Sequence, residues 1–404
     1  MKRRSIVKGG LVALGTASLP KFAISQSAPS SVRIGYAISL SGPFAPGAES
    51  TSWSQYKLWA KDVNDAGGLM LKKYNRKVPI ELIAYDDRSQ LDEAIKLAER
   101  LVLNDKVDLV LPPWGTGNNM AVAAVLNKLE YPVLYWTCAG ARVAAAAKMW
   151  PYSFFPLGQP QPSAEALTKM LTDLKAQNKI QGRIALIYAA EQFGVDMHTA
   201  MAAEVTKAKL DVVISKSYPL GASDLSGLMR EVQRANPEAF FAFSYPTDTF
   251  MLTEQAQIQG FSPPIFYTGI GTPFPGYKAK FGAKTDGVLL FGGHELGAPG
   301  QREYLTRHKA MFNRDSESGA MGMYSCLQVL QQSIERVGEI DRKKIRDEIA
   351  GGRFQTITGE FQMHNQMLAD AWVLGQWQNG EVVGIAPSTR KGAKPMQFPK
   401  PKWA

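Results

Sequence analysis

The chain runs to 404 residues, 45% of them hydrophobic and 20% charged, with a formal net charge of +10. That length exceeds the roughly 250–300 residues one core usually serves, and the composition excludes a mainly disordered chain. Residues 1–28 carry five bases and no acid, and the tail from Ser388 carries five more with none, so the body between is neutral and a basic nucleic-acid face is excluded.

The first 28 residues read as an export signal. Lys2-Arg3-Arg4-Ser5-Ile6-Val7-Lys8 has twin-arginine form, and small residues follow near 25–28. The apolar stretch 9–20 falls short of the ~20 residues a membrane helix needs, and no later segment is apolar enough to span a bilayer. The mature chain is expected in the periplasm.

From residue 32 strands and helices alternate. Strands are expected at 32–38, 77–87, 107–113 and 131–137, with helices at 52–65, 90–104 and 118–129 between them. The pattern restarts after Trp150-Pro151. Helices are expected at 161–177, 195–209, 223–235 and 247–259, alternating with strands at 183–189, 211–219, 239–246 and 263–269. Such spacing implies right-handed βαβ units and two parallel sheets, an α/β chain of two lobes. A strand at 287–293, a long helix at 318–338, a helix at 341–349 and strands meeting at Asn379-Gly380 complete the two sheets. The tail 388–404 reads as a solvated Pro/Lys extension.

Ligands of parallel α/β sheets sit beyond the carboxyl ends of strands. That rule selects Ser39, Ser41, Gly42 and Phe44 after the first strand. It then selects Trp114, Gly115, Thr116 and Gly117, and next Tyr135, Trp136, Thr137, Cys138 and Gly140. In the second half it selects Glu191, Phe193 and Gly194, then Ser244, Tyr245 and Asp248, then the segment 268–272 with Gly269 and Ile270. Hydroxyls and glycines before helices expose backbone N–H groups to an anion, and aromatic side chains give flat apolar walls. The same residues also suit ordinary caps and turns.

Enzyme signatures are missing: no P-loop, no GxSxG, and no third glycine after Gly269-Ile270-Gly271. The pair Asp86-Asp87 reads first as a turn with a helix cap. Four scattered histidines and two distant cysteines, Cys138 and Cys326, make no metal motif, so no metal or other cofactor is expected and both thiols are expected buried and unpaired. An exported enzyme working through Asp87 or Cys138 is the rival reading of these residues.

The runs "IGYAISLSGPFAPGAES", "NDAGGL", "VPIELIAYDDRSQLDEAIKLAERLVLNDKVDLVLPP" and "YPVLYW" resemble the type I periplasmic binding proteins, more narrowly the branched-chain amino-acid binders that feed ABC importers. The resemblance implies two Rossmann-like lobes joined by three crossings, with a ligand cleft between. It divides the chain into residues 31–149 with 289–353, and 150–288 with 354–387, with crossings near 148–152, 288–291 and 352–356. It places Phe44 on one wall, a ligand carboxylate at Gly115-Thr116 and 138–140, Phe193 where the family usually writes Tyr, and Tyr245 against the ligand. Ile270 falls where the amino-acid binders hold an acid for the ligand ammonium. The implied protein is a monomeric, non-enzymatic solute binder serving an ABC permease. Its ligand is a small amino-acid-like or carboxylate molecule, with aromatic acids and amides as the alternative and a sensing receptor as the rival role.

Overall fold

The computed structural model describes residues 27–293 and 299–403, so the expected export signal lies almost wholly outside the described residues. Strands Ile80–Asp86, Val32–Ile38 and Leu109–Val110 form a parallel three-stranded sheet in that order. A second parallel pair joins Val133–Leu134 to Ser153–Phe154. The larger sheet has seven strands, in the order Glu381–Ala386, Leu374–Gln378, Leu289–Phe291, Ile265–Thr268, Ala239–Phe243, Arg183–Ala189, Asp211–Tyr218. Its last five run parallel and the two at the other edge antiparallel.

Local sequence explains these choices. Ala239–Phe243 is wholly buried, the continuous apolar run of a strand covered on both faces. Helix Leu91–Leu103 buries Ala94, Leu97, Ala98 and Leu101, one stripe at helical spacing, and carries Asp92 and Glu93 in its first turn. Asn379 and Gly380 both take positive φ, +52° and +75°, as a two-residue hairpin turn between strands of right-handed twist requires. Helix Ser318–Val337 buries residues on several faces because it packs against helix Ser54–Asp65, strand Leu69–Leu71 and strand Phe354–Thr356.

The chain passes between the sheets later than expected at all three crossings. Ser153–Phe154 still pairs beside Val133–Leu134, so the first crossing follows residue 154. Leu289–Phe291 belongs to the larger sheet, so the second follows Phe291. Phe354–Thr356 and Gly359–Phe361 form their own hairpin against the long helix, so the third falls at 362–373. The first and third crossings are tied together: Phe155 N–H donates to the Gln366 carbonyl (2.8 Å), Leu368 N–H to the Pro156 carbonyl (3.1 Å), and Trp372 Nε1 to the Leu157 carbonyl (2.8 Å).

Much of the tail is exposed, as expected, but its end is anchored to the second lobe. Lys400 N–H pairs with the Pro264 carbonyl at 2.9 Å, and Trp403 sets its ring edge-on to Phe266, 5.3 Å between centroids. The Trp403 indole N–H donates to the Phe261 carbonyl at 2.6 Å. A Pro/Lys composition conceals these apolar anchors. Trp403→Ala is expected to lower the thermal midpoint by a few degrees, since a half-buried indole contributes on the order of 1–2 kcal/mol. A melting curve that overlays the wild type would show the tail to be energetically idle.

Candidate functional site

The two sheets face each other across a cavity. Nine residues expected at a site line it: Trp114, Gly115, Thr116, Trp136, Thr137, Phe193, Tyr245, Gly269 and Ile270. The cavity has a volume of about 70 Å³ with the lobes as they stand.

Two helical glycines seat the indoles that wall it. An added Cβ at Gly47 would fall 2.2 Å from the Trp114 ring, and one at Gly322 would fall 2.0 Å from the Trp136 ring. Each indole therefore lies against bare helix backbone. The Trp114 N–H donates to Thr51 Oγ1 at 2.6 Å, and Thr51 donates to the Gly47 carbonyl at 2.9 Å. Thr51 belongs to a π-helical turn, Glu49–Trp53, the local form that widens a helix beside a site.

Tyr245 closes the cleft. Its ring meets Phe44 at 5.0 Å and Trp114 at 5.4 Å on the first lobe, and Phe193 at 5.7 Å on its own. Its hydroxyl donates to Glu191. The other Glu191 oxygen accepts the Gly117 N–H from across the cleft at 3.2 Å. A second bridge runs from the Ala141 N–H to Asp196 Oδ2, 3.0 Å. The lobes are thus latched by rings and by two carboxylates of the second lobe holding backbone N–H groups of the first. Burial raises the Glu191 carboxyl, against the pull of the Tyr245 hydroxyl and the backbone donors of Phe193 and Gly117.

Other expected residues lie elsewhere. Ser41 is exposed and donates to Asp86 at 2.7 Å, while Asp86 also accepts the N–H groups of Leu40 and Arg88; the Asp pair is turn chemistry. Phe44 sits behind Trp114 and touches Tyr245, a support of the wall and not its surface. Cys138 packs in the core with Tyr135 and Phe155, and burial pushes its thiol up; Cys326 is also free and buried. Gly140 lies beneath the surface, 3.3 Å from its would-be Cβ to Asp196 and Thr116. Asp248 is buried behind Tyr245, accepting from the Tyr218 hydroxyl at 3.3 Å. The strand-end rule finds the loop and cannot tell which side of it faces the cleft.

It also misses a wall. Glu317, Ser318 and Gly319 open the long helix and line the cavity, with Phe291, Phe274 and Leu157 completing it. Glu317 is buried, and its oxygens accept the N–H groups of Gly319 and Ala320 at 2.5 and 2.6 Å. This helix follows another helix, Gln301–Phe312, so no strand end points to it. The signal available was an acid directly before a run of small residues, an N-cap pattern.

Burial pushes the Glu317 carboxyl up to about 7, against its backbone donors, and Asp248 up to about 6. Both acids then bind more protons folded than unfolded, so their contribution to stability falls as pH rises from about 4.5 to about 7. The ligand-free protein is expected to melt higher at pH 5.5 than at pH 8 on this account, and Glu317→Gln to flatten the difference. A midpoint difference unchanged in Glu317→Gln would remove this carboxyl from the balance.

Among the described residues no three His, Cys, Asp or Glu side chains gather as a metal site, and no helix is long and apolar enough to cross a membrane. The model of the periplasmic binding protein family matches residues 31–381. The chain belongs to that family. The relatives of this periplasmic binding protein include Leu/Ile/Val-binding protein homolog 7 of Brucella abortus (strain 2308), 22% identical, covering 93% of this chain and 96% of that one. Homolog 8 of the same strain is 24% identical over 91% and 93%. In structure it is similar to a solute-binding protein of R. palustris in complex with benzoate, TM-score 0.74, 17% identity, covering 93% of this chain and 98% of that. It is also similar to a leucine-binding protein from Thermotoga maritima, TM-score 0.72, 18% identity, covering 89% and 100%. These likenesses show the type I periplasmic binding protein fold, as the paired lobes do on their own.

Proposed function

We propose that this periplasmic binding protein is the exported, monomeric solute-binding component of an ABC importer, and that it captures one small, apolar-bodied ligand by closing its lobes. The observation that carries the reading is Tyr245, a second-lobe ring packed on Phe44 and Trp114 of the first lobe over a cavity walled by both. Ligand contacts on both walls favour the closed form, and an importer that reads the closed form distinguishes loaded from empty protein. The amino-acid-like and aromatic ligand classes both find support in relatives, one named for Leu/Ile/Val and others solved with benzoate or 3,4-dihydroxybenzoic acid. Ile270 stands on the wall where the resemblance places an acid for the ligand ammonium, so an amino-acid ligand would have to find another acid of the cavity, and Glu317 is the one that lines it among the described residues. The buried Cys138 thiol speaks against the enzyme reading.

A thermal-shift screen of the mature chain tests this. A ligand binding only the folded form raises stability by about 2.7 kcal/mol at a hundredfold excess over Kd. A rise with one or more small amino acids, aromatic acids or amides supports solute capture. A flat response across all three classes from a cooperatively melting protein would contradict it.

A further inference from the structure

Glu317 is the one acid among the described residues lining the cavity, and no Arg, Lys or His lines it with Glu317. The position where a ligand carboxylate is expected is the start of helix Thr116–Lys128. There the Gly117 N–H is already held by the carboxylate of Glu191, delivered from the opposite lobe. At the second helix start on the cavity, Ser318–Val337, the Gly319 and Ala320 N–H groups are held by Glu317 itself. At each of these helix starts a carboxylate of the protein therefore already occupies part of the N–H set. A ligand carboxylate would enter a mainly apolar lining beside Glu317, with Glu191 behind the wall and no lining base.

Glu317 has acceptor capacity left. A carboxylate accepts at about four lone-pair positions, and backbone donors fill two of them here. The nearest cation in sequence, Arg314, is turned to the Glu49 carbonyl (3.2 Å) and Ser54 Oγ (2.7 Å), and does not line the cavity.

We propose that Glu317 fixes the polar end of the ligand, and that this ligand presents an N–H donor, an amide or an amine, on a small apolar body in place of a free carboxylate. The inference rests on the solute-binding reading and narrows its ligand class. Trp114, Trp136 and Tyr245 hold the flat or branched body, and Glu317 accepts from the nitrogen across the cavity.

The test is calorimetric titration of the mature protein at pH 8 with matched probes: acetamide, benzamide and benzylamine against acetate and benzoate. At least one nitrogen probe is expected to bind tenfold or more tighter than the acid of its own size. Glu317→Gln keeps the side-chain shape and an N-cap acceptor, and is expected to lose most of that preference, with benzylamine weakened most. The wild-type ratio decides the matter even where that variant folds poorly. Tighter binding of acetate or benzoate by the wild type, or an unchanged ratio in a folded Glu317→Gln, would overturn the inference and leave solute capture standing. No saturable binding of any probe or of leucine would overturn both.

Discussion

Tyr245→Ala is expected to abolish measurable ligand binding while each lobe still folds. The Tyr245 ring is buried and its partners are divided: Phe44 and Trp114 belong to the first lobe, Phe193 and Glu191 to the second. Removing a buried aromatic side chain costs on the order of 3–5 kcal/mol. Half of these contacts exist only when the cleft is closed, so much of the loss falls on closure and not on folding. A loss of about 3 kcal/mol from closure alone weakens apparent affinity more than a hundredfold. Calorimetry and small-angle scattering read the two effects separately. The variant is expected to show a larger radius of gyration, no saturable heat and a modestly lower midpoint. Tyr245→Phe keeps the ring and leaves the buried Glu191 short of one donor, so it is expected to bind with an intermediate loss. Wild-type affinity in the alanine variant would show that the cleft does not close through this ring.

Gly322→Ala is the second large effect, and its direction is opposite to what helix propensity alone gives. Ala is favoured over Gly in a helix interior by about 1 kcal/mol. At this position, however, the new methyl would stand 2.0 Å from the Trp136 ring, so the indole must move, either into the cavity or into a second hollow that Trp136 and Gly322 line with Thr358 and Leu368; the first move is the one expected to block binding. Overpacking costs about 1–3 kcal/mol, and a ring displaced into the cavity fills volume the ligand needs. The expected result is a lower midpoint together with loss of binding. Gly351→Ala serves as the control, because a Cβ there meets nothing within 4 Å. That variant is expected to bind normally and to melt at or slightly above the wild-type midpoint. Normal binding by Gly322→Ala would mean that Trp136 has another place to go.

Much of this arrangement was legible in the residues. The strand expected at 183–189 forms at Arg183–Ala189, because an apolar run bounded by Gly182 and a loop leaves few alternatives. The hairpin at Asn379-Gly380 follows from two residues that accept positive φ. Ile270, Trp136 and Tyr245 line the cavity because they follow strands, where a parallel sheet opens its loops on one edge. What was not legible depends on partners distant in sequence. Glu317 lines the cavity only because a helix that follows a helix is packed against residues 54–65. The Trp403 anchor answers to Phe266 and Phe261, which nothing local to the tail reveals. The crossings shift because short pairings such as Ser153–Phe154 and Phe354–Thr356 are held by neighbours and not by their own propensity.

If a small solute is captured between the lobes against Trp114 and Trp136, binding compacts the protein and changes the surroundings of both indoles. The measurement that tests this most directly is a small-angle scattering titration of refolded, ligand-free protein with the best solute from the thermal screen, with tryptophan emission followed in parallel. The account predicts a smaller radius of gyration and a changed emission, both saturating at one solute per chain, and both lost in Tyr245→Ala. A solute that saturates the protein without compaction and without any change in emission would contradict it.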